Sequence, residues 1–216
     1  MSFFVGLDLG QVQDYTALAI AERIEPRRAV VSAYEQAKHL FDTPLPLPPK
    51  PQYHLRHLQR FPLRTPYPAI VTAIRALTAR PELADARLAV DHTGVGVAVF
   101  DMLKAPDLPC SLYGVTIHGG DTVTYEDGRY RVPKRDLITL TQVLLQNARL
   151  KIAKDLKDAS TLTKELLDYR LKIDPTTARD SYNAREGQHD DLVLAVALAC
   201  WIGEKIGGVM PRVRRF

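Results

Sequence analysis

Two short apolar runs, FFVGLDLG (residues 3–10) and ARLAVDHTG (residues 86–94), each close on an aspartate that is followed within three residues by glycine. An apolar run this short, ended by a turn signal, reads as a strand covered on both faces. Aspartate is depleted from strands. Asp8 and Asp91 therefore stand out at strand ends, the place where open α/β sheets build their sites. Two such strands restrict the chain to a sheet with helices packed on it.

The remaining segments extend this pattern. YTALAIAERI (residues 15–24) and RAVVSAYEQA (residues 28–37) read as two further strands joined by EPRR, so a β-meander opens the chain. TPLPLPPKPQ (residues 43–52) holds too much proline for a helix or strand interior and reads as an extended surface loop. Ile70, Val71, Ile74 and Leu77 recur at helical spacing, and Pro81 stops that helix. VGVAVFDMLKA reads as a helix and CSLYGVTIHGG as a strand. In TVTYEDGRYRVP, Asp127-Gly128 sits between alternating segments and predicts a β-hairpin. KRDLITLTQVLLQNARL and ASTLTKELLDYRLKI are helical, and GQHDDLVLAVALACW opens a last helix of about 16 residues. The order predicts an α/β fold with a mixed sheet and helices on both faces. The Asp8 strand is central in it, beside the Asp91 strand.

Length and composition limit the class. The 216 residues suit one domain and suffice for a real core. A content of 46% hydrophobic and 25% charged residues is that of an ordinary globular protein. The net charge of +4 is compatible with a polyanionic partner. Cys110 and Cys200 have no ligand-spaced neighbours, which argues against a disulfide framework or a zinc site and for the reducing cytoplasm. The start MSFFVGLDLG lacks the basic region and cleavage site of a signal peptide. The longest apolar run, residues 192–203, is too short to span a bilayer, so no membrane partner is expected.

Asp190 and Asp191 begin the last helix. One of them would join Asp8 and Asp91 as a third carboxylate. Close carboxylates repel, and protons or divalent cations must offset the repulsion. Oxygen ligands without His or Cys favour Mg²⁺ or Mn²⁺. Two such ions about 4 Å apart form a clamp for phosphodiester hydrolysis. Adjacent helical positions point about 100° apart, so one aspartate is the ligand and the other a cap or support. For each aspartate alone, a helix cap or dipole partner is the competing reading. His92 and His189 flank the acidic residues, placed either to hydrogen-bond a ligand carboxylate and tune a water, or simply to pack.

Basic residues supply the candidate DNA contacts. HLRHLQRFPLR (residues 54–64), with Arg56 and Arg60, reads either as a strand whose outer face meets phosphates or as an edge strand guarded by charge. Lys134 and Arg135 open a helix, where cations oppose the dipole, so an external anion such as a DNA backbone is expected there. Asp14 in QDYTA reads as a loop brace. The basic tail (residues 208–216) would touch DNA or confer solubility.

Taken in order, FVGLDLGQVQDYTALAI, LAVDHTGVG and GQHDDLVLAVALACW resemble the nuclease domain of tailed-bacteriophage large terminases. HDDLVLA and the DLG…DYTA start are the most specific parts, STLTKELLDYRLKI is similar as well, and the likeness covers nearly the whole chain. It implies a ribonuclease H-like mixed sheet with a five-stranded core, flanked by helices on both faces and carrying an added β-hairpin. Residues 1–216 would form one such nuclease domain. It also implies a two-metal endonuclease that cuts double-stranded DNA during viral packaging in the host-cell cytoplasm. By position, Asp8 would bridge both ions, Asp91 would hold one and Asp191 the other, with Asp190 assisting. The implied partners are duplex DNA and a separate ATPase motor, small terminase subunit or portal. No G-x-x-x-x-G-K-[ST] phosphate loop occurs, so the motor of a complete large terminase is not in this sequence. An excised domain, a separately encoded nuclease subunit and a stand-alone relative all fit that. Three alternatives stand beside this reading. A Holliday-junction resolvase shares the core and the carboxylate order. VGLDLG also resembles a phosphate-binding turn of the actin and sugar-kinase superfamily. The third is an inactive DNA-binding module.

Overall fold

Alternation along the strands decides which side chains meet which layer. A computed structural model of the protein describes residues 2–10, 13–26, 49–104, 108–170 and 189–206. Strand β1 (Ser2–Asp8) sends Val5 and Leu7 to one face and Phe4, Gly6 and Asp8 to the other. Strand β2 (Ala17–Ile24) sends Leu18 and Ile20 to the first face and only alanines, Ala17, Ala19 and Ala21, to the second. The large residues meet helices α1 (Tyr67–Thr78) and α2 (Gly96–Leu103) through Ile70, Val71, Ile74, Val99 and Leu103. The small residues receive helix α5 (Asp191–Ile206), which is buried from Asp191 to Gly203 and therefore apolar all round. Helices α3 (Lys134–Gln146) and α4 (Ala159–Arg170) cover its flanks.

The remaining strands are β3 (Gln52–Arg60), β4 (Arg87–Asp91), β5 (Ser111–His118), β6 (Thr124–Glu126), β7 (Arg129–Pro133) and β8 (Leu150–Ile152). They form one mixed sheet in the order β6-β7-β5-β4-β1-β2-β3-β8. Strand β1 is antiparallel to β2 and parallel to β4, as the sequence predicts. Strands β3, β4, β5 and β7 run in the same direction as β1, so their C-terminal ends share one edge. Asp127 and Gly128, with φ of 50° and 77°, make the two-residue turn between β6 and β7 that the dipeptide predicts. The expected strand over residues 28–37, residues 43–48 of the proline-rich loop and the tail over 208–216 lie outside the described residues.

Two expectations are corrected. Strand β3 is not a free edge, because β8 pairs in parallel with Tyr53, His54 and Leu55. Helix α3 ends at Gln146 instead of running to Leu150. Ala148 takes the left-handed φ of 52°, and the backbone N–H groups of Arg149 and Ala148 close back on the carbonyls of Leu144 (2.8 Å) and Leu145 (3.0 Å). This is the usual glycine-type helix stop with alanine in the glycine position. Without a glycine, the sequence shows no stop there. Ala148→Gly should therefore raise stability by about 0.5–1 kcal/mol, since the left-handed penalty exceeds glycine's added chain entropy. Urea unfolding measures this, and an unchanged or lower midpoint would contradict it.

Candidate active site

The aspartates gather at the shared strand edge. Leu7 pairs with Val90, so Asp8 and Asp91 occupy the next positions on neighbouring parallel strands, about 4.8 Å apart along the pairing direction. Alternation turns both toward α5. Asp8 is buried, and its carboxyl is held well above the ordinary range. Burial is the largest cause, followed by the charges of Asp91, Asp191 and Asp190, and Lys134 pulls the other way. Burial also carries Asp91 up to about 6, against the pull of its Thr93 hydrogen bonds. The Thr93 N–H donates to Asp91 Oδ1 (2.9 Å), while Thr93 Oγ1 accepts from the Ile117 N–H (3.0 Å), which ties this turn to β5.

The start of α5 splits its two aspartates. Lys134 Nζ lies 2.8 Å from Asp190 Oδ2. Arg60 Nη2 lies 3.2 Å from Asp191 Oδ2, and His189 Nδ1 lies 3.8 Å from the same oxygen. Burial raises Asp191 to about 6, opposed by Arg60 and His189. Acidic groups at a helix N-terminus are favoured by its dipole. The roughly perpendicular directions expected of neighbouring helical residues send one toward α3 and the other toward β3.

Glu165 on α4 is a member that sequence reasoning missed. It is buried, sits 2.5 Å from Arg60 Nη2 through Oε1, and accepts the Val193 N–H through Oε2 (3.1 Å). Burial, outweighing Arg60, raises it to about 7. A signal existed. Leu162, Glu165 and Leu166 share one helical stripe, so a charge falls on the apolar face. Tyr15 completes the surround, with the Arg60 guanidinium 4.5 Å from its ring centre and the His189 ring edge-on at 5.0 Å.

The structure sorts the other expected residues. Arg60 does not project from an outer face; it turns inward onto Glu165 and Asp191 with 18% of its side chain exposed. Lys134 finds its anion inside the chain, in Asp190. Arg56 is half exposed and bound to buried Glu22 at 2.7 Å. Arg135 is half exposed and bound to Asp121 at 2.7 Å. His189 lies beside Asp191 as expected, but His92 does not flank the site. One residue beyond Asp91, it faces the opposite layer, edge-on to Phe100 at 5.0 Å, where burial and then Arg129 lower its pKa. Asp14 lines a cleft of about 270 Å³ with Gly10, Thr16, Arg64 and Tyr67, and its charge adds to the repulsion on Asp191.

Among the described residues, no three Asp, Glu, His or Cys side chains converge closely enough to hold a metal ion. Lys134 and Arg60 each engage one of the two aspartates at the start of α5. Asp8 and Asp91 form no ion pair among the described residues and offer only hard oxygen donors. That donor set fits a small divalent cation in its chemistry.

The raised carboxylates fix a direction of pH dependence. Asp91, Asp191 and Glu165 titrate near 6 to 7 in the folded chain, and Asp8 is raised as well. Their unfolded values are about 4. The folded state thus binds more protons between these limits, and stability falls as pH rises from about 4 to 7. His92, whose pKa is lowered, opposes this with one group against four. In chelator, Tm should be on the order of 3 °C higher at pH 5.5 than at pH 7.5. A Tm that drops on this acidification would refute the arrangement.

Two solved structures share this architecture. The large terminase nuclease from thermophilic phage G20c aligns over 91% of this chain and 80% of its own, with a TM-score of 0.53 and 17% identity. The g2p (large terminase) nuclease domain from bacteriophage SPP1, solved with bound Mn, aligns over 95% and 86%, with a TM-score of 0.50 and 12% identity. No protein-family model matches the sequence, and a search of curated proteins finds no match. At these identities the likeness is one of fold: the chain has the ribonuclease H-like α/β architecture of phage large-terminase nuclease domains.

Proposed function

We propose, from the fold shared with phage large-terminase nuclease domains, that this chain is a metal-dependent endonuclease hydrolysing phosphodiester bonds of duplex DNA. The observation that carries the reading is Asp8: a buried carboxyl at the C-terminal end of a central strand, with Asp91, Asp190 and Asp191 all bearing on it. Asp8, Asp91 and Asp191, with Asp190 in support, are the carboxylates that would hold two Mg²⁺ or Mn²⁺ ions. The bound Mn of the SPP1 domain supports the choice of ion. Such ions supply charge neutralisation and a water acidic enough to act as nucleophile. The chain's own part is to hold the carboxylates in place, through the Thr93 tie to β5 and the first turn of α5.

Arg56 and Arg135, both half exposed, and Lys134, once released from Asp190, would meet the phosphates. Those contacts carry no sequence information, so cutting would be nearly sequence-independent and strongly weakened by salt. The biological role that follows is viral DNA packaging, with an ATPase motor, small terminase subunit or portal as the partners.

Supercoiled plasmid incubated with Mn²⁺, Mg²⁺, Ca²⁺ or EDTA tests this reading. Nicking and then linearisation in Mn²⁺ and Mg²⁺ alone, falling steeply between about 50 and 200 mM salt, is the expected result. Cleavage of four-way junctions with linear duplex untouched would shift the assignment to a resolvase. No cleavage with any metal would remove the nuclease reading.

A further inference from the structure

One guanidinium nitrogen of Arg60 is shared between two carboxylates. Nη2 lies 2.5 Å from Glu165 Oε1 and 3.2 Å from Asp191 Oδ2, so Glu165 has the larger share. The other oxygen of Glu165 accepts the Val193 N–H and fixes the first turn of α5, the turn that carries Asp191. Asp191 Oδ1 makes no hydrogen bond or ion pair among the described residues. We infer that Glu165 is a positioning residue that holds Arg60 off Asp191 and so keeps Asp191 open to a divalent cation. This inference rests on the metal-dependent reading above.

The argument is electrostatic competition. Arg60 is largely buried, and a buried guanidinium keeps a carboxylate partner. With Glu165 charged, two carboxylates divide it. With Glu165 neutral, Asp191 is the carboxylate already in contact with the guanidinium, and a fork of two parallel hydrogen bonds is the favoured geometry. An Asp191 gripped by both oxygens would face an incoming cation as a neutralised pair. The Tyr15 ring beside the guanidinium keeps Arg60 in this position and limits its escape to solvent.

Glu165→Gln tests the inference. The amide oxygen of glutamine still accepts the Val193 N–H, so the helix start is kept while the charge is removed. Two readouts are needed: Mn²⁺ affinity of the metal-free protein by calorimetric titration, and a metal-free crystal structure of the variant. Affinity should fall roughly tenfold to a hundredfold, the usual cost of losing a group that orients a ligand. The crystal structure should show Arg60 paired with both oxygens of Asp191. Removing the released cation, in the double variant Glu165→Gln/Arg60→Gln, should restore most of the affinity, which a merely structural role for Glu165 would not produce. Unchanged affinity in the single variant, no recovery in the double, or an Arg60 that stays off Asp191 would each overturn the proposal. A wild-type chain that binds no Mn²⁺ would instead count against the nuclease reading, and the Arg60 position in the variant would still decide the charge-sharing claim.

Discussion

Asp8→Asn is expected to lower plasmid nicking by about 10³-fold or more while making the metal-free protein more stable. The two effects have one cause. Asp8 sits where the charges of Asp91, Asp190 and Asp191 converge, and at neutral pH its carboxyl either stays charged among them or takes up a proton. Both are unfavourable to folding. Asparagine has nearly the same shape and no charge, so the packing against α5 is kept and the repulsion is lost. A gain of about 1–2 kcal/mol, or roughly 2–6 °C in Tm, is the size expected when a functional residue stands against stability. The loss of activity follows because a carboxylate proposed to hold the ions is gone, and positioned charge is the largest contribution to catalysis of this kind. Nicking in Mn²⁺ and melting in chelator are measured on the same preparation. Retained activity would remove Asp8 from the chemistry. Lost activity with a lowered Tm would mean that the carboxyl is structural.

The legible parts of this molecule were those written in period two. VGLDLG and TALAIA alternate large and small, and that alternation alone puts Asp8 on the face that receives the last helix. The same rule would have placed His92 correctly. It follows Asp91 directly, so it must face the other layer, and reading it as a neighbour of the site treated sequence proximity as spatial proximity. Lys134 was half legible: a cation opening a helix calls for an anion, but nothing local says that Asp190, 56 residues away, provides it. Arg60 and Glu165 are 105 residues apart, and their pairing depends on β3 ending where α4 packs against the first turn of α5. Strand β8 was hidden because Ala148 occupies a position where glycine is the usual marker. Apart from His92, these misses are tertiary contacts or exceptions to a local preference, whereas strand and helix faces follow from spacing.

Gly6→Ala should cost about 3 kcal/mol or more, because the added methyl group would run into helix backbone. A Cβ at Gly6 would lie 1.9 Å from the Ala195 carbonyl oxygen and 2.7 Å from the Ala199 nitrogen. Both are backbone atoms of α5, so no rotamer change relieves the contact. The helix itself must retreat by about 1.5 Å to reach ordinary separation. Helix α5 also packs on β2, β3 and β4 and against α3 and α4, so its retreat opens a core buried almost completely. Overpacking of a rigid interior typically costs about 1–3 kcal/mol, and more where backbone must move. The same displacement carries Asp191 away from Asp8, since Asp8 lies two residues along the same strand face. Nicking should therefore fall further than the fraction of folded protein. Gly119, with nothing within 4 Å of its Cβ position, is the control, and Gly119→Ala should change stability by less than about 0.5 kcal/mol. Urea denaturation of both variants, with nicking assayed well below each midpoint, measures the two effects separately. Equal midpoints for Gly6→Ala and wild type would show that α5 does not rest on β1 at this distance. A destabilised but fully active Gly6→Ala would show that the spacing between Asp191 and Asp8 does not set the rate.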